Sequence, residues 1–383
     1  MEMRTKRGLM TQFPCARGRE FVCKNIGDYV QSVASKQYCQ PIDVYIEQEE
    51  ANMFFPEDKV PVRLIMNGWF QWRAENWPPS EYIDPLLISM HISPLRAEQL
   101  LTTEGIQFLK KYAPVGCRDY YTKQLLENLE IPAYFSACMT LTLGKKYHVN
   151  VRKRKGIYIV DPYFEIPELW QMVNGRKKWN YKAIFSAAFT FLFHVRSVRK
   201  LAQKEFFRVY SPTGFLDRST EKYRPYYKAA LFYQIYSRKF SKKVLLSADY
   251  ITHWMDVEMG GTVTNADLLD YAEELIKKYA SADLVITSRI HAGLPCLGLE
   301  TPVIFVANEE VVSENGSFNT PGRLGGLLEL FRILTLEKGK FISNDPVFSC
   351  IKKFSIWTRF KNKTDWKQYA FALDKTCTEF MKD

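Results

Sequence analysis

Histidine is scarce in this chain of 383 residues, with five in all, and its eight cysteines never pair as C-x-x-C. The cysteines stand singly at positions 15, 23, 39, 117, 138, 296, 350 and 377, with no H-E-x-x-H or Cys/His cluster beside them, so no metal site is expected. No two glycines are spaced G-x-G, no GK[ST] P-loop occurs and no D-x-D is present. A dinucleotide turn, a phosphate-cradling loop and a metal–nucleotide clamp therefore lack their usual signatures. The longest apolar run, residues 183–193 (AIFSAAFTFLF), is too short to span a bilayer. No apolar run follows the charged residues 1–8, so no leader peptide is expected. The scattered cysteines then read as reduced thiols of a cytoplasmic protein. Internal repeats and low-complexity segments are also missing.

What is present is a globular composition, 46% hydrophobic and 25% charged, in a chain long enough for two cores. Lys and Arg number 53 against 42 Asp and Glu, a balance of +11 that favours an anionic partner. The positive charges are dispersed and no recognition motif accompanies them, which argues against nucleic acid. Basic residues flank the 183–193 run, with Lys182 before it and Arg196, Arg199 and Lys200 after it. The expectation is a helix packed in the core or at a domain interface. A helix lying on an anionic membrane face, giving a peripheral membrane contact, is the alternative.

Strand-like and helix-like runs alternate. Residues 28–36 read as a helix, 42–47 as a strand, and 62–70 and 85–92 as buried strands. An amphipathic helix is expected over 96–113, a short strand over 114–119, a helix over 120–129 and a strand over 132–137. After a basic stretch at 145–155 the alternation resumes with a strand in GIYIVDP (156–162), long helices, and a strand over 243–252. Ala266, Leu269, Ala272, Leu275, Ile276 and Tyr279 recur at helical spacing. A strand at 284–286, another at 302–306, a helix over 321–331 and a helical tail over 366–381 complete the pattern. The fold class expected is α/β: two Rossmann-like domains facing a cleft, with the C-terminal helix packing back on the first domain. The boundaries expected are 1–150 on the acceptor side, 151–345 on the donor side, and a tail over 346–383.

The turn after strand 284–286 carries Arg289 and His291. Ligands of open parallel sheets bind at the carboxyl ends of strands, so this pair is the leading site candidate. Arg118 follows another strand and reads as an anion ligand or as the partner of Asp119. Asp28 reads as a helix cap or as a catalytic carboxylate. Asn67 and Trp69 follow a buried strand and are candidates for the cleft, and Arg323 sits where a helix is expected to begin. His91 ends a strand and reads as a satisfied ring; His148, His194 and His253 have no motif around them.

Asn25-Ile26-Gly27-Asp28, Arg118-Asp119 with Thr122, and Asp283 to His291 stand in the order and spacing of three motifs of the polysaccharide pyruvyl transferase family, which the chain resembles from about residue 25 to 331. The family usually shows D-P-(A/T) after the mid-domain strand, where this chain has Cys138-Met139. The resemblance implies a two-domain fold like that of GT-B glycosyltransferases, and ketal formation between phosphoenolpyruvate and two hydroxyls of a sugar. With the motif positions it points to His291 and Asp28 as the catalytic pair, Arg289 and Arg118 as donor ligands and Asn25 near the acceptor; by their places in the pattern alone, Arg323 is a further donor ligand and Asn67 and Trp69 further acceptor or cleft candidates. Phosphoenolpyruvate would be a co-substrate, with no cofactor. Proton transfer to the enol carbon and from a hydroxyl suits a histidine titrating near neutrality. The charge balance and the 183–193 run point to a polyprenyl-diphosphate-linked saccharide acceptor met at the inner membrane face. A GT-B glycosyltransferase or sugar-nucleotide epimerase, and a non-catalytic glycan-assembly protein of the same fold, are the competing readings.

Overall fold

A computed structural model of the chain describes residues 5–12, 21–70, 73–212, 216–258, 263–314 and 322–382. Val, Ile and Leu dominate the strands, as sheets covered on both faces require. The first sheet holds β1 (Lys6–Thr11), β2 (Val44–Glu47), β3 (Val62–Trp69), β4 (Ile83–His91), β5 (Val115–Cys117) and β6 (Ala133–Phe135). Its order is β2-β1-β3-β4-β5-β6 and every pairing is parallel. The second holds β7 (Ile157–Val160), β8 (Asp249–Ile251), β9 (Leu284–Thr287), β10 (Val303–Asn308), β11 (Ile333–Glu337) and β12 (Lys340–Ile342). Its order is β8-β7-β9-β10-β11-β12, parallel except for the last pair. In both sheets the chain steps to one side of its first strand and then crosses to the other. That leaves a switch point beside β1 and another beside β7, where a crevice forms at the strands' carboxyl ends.

The principal helices are α1 (Ile26–Lys36), α2 (Tyr120–Glu127), α3 (Tyr181–Phe193), α4 (Val195–Ala202), α5 (Arg224–Tyr236), α6 (Asn265–Ala280), α7 (Ile290–Gly298) and α8 (Trp366–Phe380). One apolar cluster takes Val30 and Val33 from α1, Leu141 from the turn after β6, Leu269 and Ile276 from α6, Leu294 and Leu297 from α7, and Leu373 from α8. The helices between the two sheets therefore share a core. The tail folds back on the first half, where Asp374 of α8 accepts from the Tyr38 hydroxyl at 2.9 Å and from Lys145 at 2.7 Å. A second cluster on the far face of the second sheet is largely aromatic, with Phe164, Phe207, Phe232, Tyr236 and Phe240 buried together.

Several elements differ from expectation. The first half of the stretch 243–252 is helix: Ser241 caps Lys242–Ser247 by accepting from the Val244 amide, and only Asp249–Ile251 is strand. No α-helix forms between 322 and 331, because Gly322 and Gly326 take φ of +77° and +82°, which end helical winding; Pro321 lies outside the described residues. The helix over 96–113 breaks at Thr102, which caps the later piece by accepting from the Gly105 amide. A hairpin, Trp170–Val173 with Arg176–Trp179, precedes α3 and was not expected. Finally, α3 does not pack in the core: Tyr181, Phe185, Phe189, Leu192 and Phe193 face solvent, and only Ala183, Ala187 and Thr190 are buried. No described helix is long and apolar enough to cross a membrane.

Candidate functional site

The site is built around the first turn of α1. Asn25 caps this helix, its Oδ1 accepting from the Gly27 amide at 3.1 Å. The backbone of Phe21–Asn25 pairs antiparallel with Trp254–Glu258, and the Ile26 amide donates to the His253 carbonyl at 2.8 Å. These bonds pin the helix start to the second half of the chain. Gly27 is the close-approach point. A Cβ there would lie 3.0 Å from the His291 Cβ and from Asn25 Oδ1, and 3.1 Å from His253 Nδ1. Any larger residue would push α1 away from α7, whose first turn carries His291.

That approach sets Asp28 Oδ1 3.6 Å from His291 Nδ1. Protein surrounds Asp28 on most sides, yet a third of its side chain (33%) stays open, so it lines a recess rather than the bulk surface. Burial pushes its carboxyl up to about 6, against the opposing pull of the Arg323, Arg118 and Arg289 guanidiniums. Burial, followed by repulsion from Arg118 and Arg323, pushes the His291 imidazole well below its ordinary value. The group that titrates near neutrality is therefore Asp28, not the histidine. His291 is 4% exposed, and its Nε2 has no hydrogen-bond partner among the described residues.

Three arginines converge on this pair. Arg118 follows β5 and is fully buried; its Nη1 donates to the Gln31 Oε1 of α1 at 3.2 Å, while its Nε and Nη2 have no partner among the described residues. Arg289 caps α7 by position, donates through Nε to Asp161 Oδ2 at 3.1 Å, and lies 5.3 Å from the centre of the Trp254 ring. Arg323 lies 4.0 Å over the Trp69 ring with its own Nε unpartnered among the described residues, and burial pushes it down to about 9. Buried guanidinium donors without acceptors are costly, and in a native fold each calls for an explanation. Here they cluster around the Asp28–His291 pair, a concentration of guanidinium donors that suits an anion.

The remaining candidates sort by contact. Asp119 is spoken for: its Oδ1 accepts from the Thr122 amide at 2.8 Å as the cap of α2, and its Oδ2 meets His91 Nδ1 at 2.6 Å. Arg118 is thus not its ion-pair partner. His91 is buried and pushed down to about 4, and the expected satisfied ring holds at one nitrogen only: Nδ1 meets Asp119, while Nε2 has no partner among the described residues. Asn67 is a correction: it is 1% exposed, its Nδ2 donates to the Gln31 carbonyl and its Oδ1 accepts from Ser35 Oγ at 2.7 Å. It braces α1 and presents nothing to an acceptor. Trp69 stands beside His91, ring centres 5.7 Å apart, as the platform for Arg323. Cys138 and Met139 are wholly buried, so apolar packing occupies the place of the family's usual Asp.

Three site residues escaped sequence reasoning. Asp161, at the carboxyl end of β7 with φ +38°, holds both Arg289 and the His253 amide, the latter at 2.9 Å. Its D-P at a strand end beside a switch point was the available signal. His253 is buried, pushed down to about 4, and shares a 2.7 Å hydrogen bond with the Tyr279 hydroxyl; it follows β8 just as His291 follows β9. Gln31 lies one helical turn past Asp28 on the same face. No group of three or more His, Cys, Asp or Glu among the described residues could hold a metal.

The fold is thus an α/β scaffold presenting an arginine-rich recess with a carboxylate–imidazole pair. The family model of polysaccharide pyruvyl transferase matches residues 25–310, about three quarters of the chain, beginning at the Asn25 cap and including Arg118, Arg289 and His291. The chain belongs to that family. Arg323 lies beyond the matched stretch. No curated protein and no solved structure matches the chain.

Proposed function

We propose that the protein transfers pyruvate from phosphoenolpyruvate to two hydroxyls of a saccharide as a ketal, within a two-domain, GT-B-like arrangement divided near residues 150 and 345. The observation that carries this reading is the set of unpartnered buried donors on Arg118 and Arg323 around the Asp28–His291 pair. Phosphoenolpyruvate has a carboxylate and a phosphate on neighbouring atoms, and guanidinium forks match both shapes. Arg289, oriented by Asp161, and Arg323, braced on Trp69, would hold the two anionic ends while Arg118 closes the recess from β5. The positive charge that an acidic donor needs is then supplied by side chains, with no metal or cofactor in the reaction.

In this reading the Asp28–His291 pair moves protons. Nδ1 of His291 lies 3.6 Å from Asp28 Oδ1 and Nε2 has no partner among the described residues, so in this reading Nε2 is the nitrogen left for the substrate. The donor's negative charge offsets the three arginines, so the pair takes up a proton as the donor binds. That proton goes to C3 of the enol and leaves C2 electrophilic. The first sugar hydroxyl adds to C2 and gives its proton back to the pair. Phosphate then leaves C2 with its bonding electrons, and the second hydroxyl closes the ketal. The atoms balance: one hydroxyl proton ends on C3 and the other departs with phosphate. A lipid-linked saccharide is the proposed acceptor.

Thermal melting against phosphoenolpyruvate, UDP, CMP and GDP tests the donor, since a ligand that binds only the folded chain raises its melting point. Stabilisation by phosphoenolpyruvate supports the reading. Stabilisation by a nucleotide alone would return it to the glycosyltransferase or epimerase alternative.

A further inference from the structure

Helix α3 is built inside out. Its small residues, Ala183, Ala187 and Thr190, face inward toward α5, where Ser186 Oγ also donates to Gln234 Oε1 at 2.9 Å. Its large apolar residues, Tyr181, Phe185, Phe189, Leu192 and Phe193, recur at steps of four, four, three and one, and are each 62% to 73% exposed. Tyr181 stacks on Phe185 and Phe189 on Phe193, ring centres 6.4 and 4.3 Å apart, so they form a continuous ridge. With two-thirds of five large side chains in water, the ridge exposes on the order of 600 Å² of apolar surface. That is at the top of what single chains leave uncovered without a use for it.

The hairpin before α3 adds further exposed apolar side chains next to it in the chain. Trp170, Met172, Val173 and Trp179 are exposed, and the Asn180 amide donates to the Leu169 carbonyl at 2.8 Å, closing the hairpin's base onto the helix start. Lys177 lies over both tryptophan rings, 4.1 and 4.5 Å from their centres. Between Trp170 and Lys200 there are seven Lys or Arg and no Asp or Glu. Arg176, Lys177 and Lys178 border one end of the ridge, and Arg196, Arg199 and Lys200 the other. A protein partner would want a shaped apolar groove. A convex ridge of Phe and Leu, flanked by tryptophans and an unbroken cationic border, matches the acyl boundary and anionic headgroups of a bilayer.

We propose that α3 and the Trp170–Trp179 hairpin dock the protein on an anionic lipid bilayer, with the ridge inserted below the headgroups and the basic residues among them. This surface stands apart from the arginine recess, and the inference does not rest on the proposed reaction. Two variants of the full chain test it: F185S/F189S/L192S/F193S, which removes the ridge, and R176E/K177E/K178E, which reverses the hairpin charge. All seven positions are exposed, so melting points should stay at the wild-type value. Co-sedimentation with vesicles of phosphatidylcholine mixed with phosphatidylglycerol is expected to capture the wild type. Each variant should bind roughly tenfold or more weakly, as should the wild type on pure phosphatidylcholine. Emission from Trp170 and Trp179 should shift to the blue on anionic vesicles. Failure to sediment at low salt would overturn the proposal. So would undiminished binding by the ridge variant, or a wild-type dimer in solution that the ridge variant abolishes, which would assign the ridge to a second copy of the chain. Pyruvyl transfer to a water-soluble glycoside is a separate measurement, so a negative result here leaves the proposed reaction standing.

Discussion

Donor binding should load a proton onto the protein, and Asp28→Asn should remove that uptake. With its carboxyl pushed up to about 6, Asp28 holds roughly a tenth of a proton at pH 7 in the empty site. Burial first, and the same three guanidiniums after it, hold His291 below its ordinary value. A ligand carrying a carboxylate and a phosphate cancels much of their field, so Asp28, already raised by burial, then favours the protonated form. The uptake attainable at pH 7 is therefore about 0.9 of a proton per donor bound. Since the complex holds more protons than its parts, raising the pH above about 6 must weaken binding, by up to about tenfold per unit. The phosphate group titrates near pH 6 as well and adds its own contribution. Calorimetry in buffers of different ionisation enthalpy measures the total, and the difference between wild type and Asp28→Asn isolates the pair. The expected difference is between about half and 0.9 of a proton. Equal uptake by the two proteins, or proton release, would refute the shared-proton account.

Three further outcomes follow from the same geometry. An aspartate whose folded value lies above its unfolded one contributes stability below about pH 4 that is lost as the pH rises through about 6; Asp28→Asn should therefore melt with the wild type near pH 4 and above it at pH 7, by calorimetry. Arg118→Met should leave the empty protein as stable as the wild type, because it deletes a buried cation with two nitrogens unpartnered among the described residues, while weakening phosphoenolpyruvate binding roughly ten- to 150-fold, the worth of one charge-assisted contact. Gly27→Ala should cost about 1–3 kcal/mol in chemical denaturation, and by displacing α1 from His291 should lower turnover on the order of 100-fold.

Much of the scaffold was legible because strand ends and helix faces are written in local periodicity. Strands β2 to β6 and α6 fell close to their expected bounds, whereas β1 (Lys6–Thr11) was not expected. Errors came where backbone conformation overrode side-chain pattern. Two glycines at positive φ turned an apparent helix after Pro321 into turns, and a single serine cap made helix of 242–247, leaving only 249–251 of the expected strand. The Asn174-Gly175 turn was a hairpin signal in plain view, and both residues take positive φ. For α3, period alone could not say which face looks inward, since nearly every position is apolar; the small residues decided it. In the site, Arg289, His291 and Asp28 were readable from strand ends and a helix start. Asp161, His253 and Gln31 were not, because their roles depend on which strand ends meet in space. Nor does sequence show that burial, with crowding by arginines, drives His291 down and leaves the carboxylate as the group near neutrality.

The account turns on one reaction, so its most direct test weighs the product. Purified wild-type protein, incubated with phosphoenolpyruvate, a panel of model and lipid-linked glycosides, and a chelator, should yield a glycoside heavier by one pyruvate less water, with one phosphate released per ketal. His291→Ala should lose about 10²–10⁴-fold of that rate while still binding the donor. Product from a sugar nucleotide but none from phosphoenolpyruvate, or ketal formation undiminished in a folded His291→Ala protein, would contradict it.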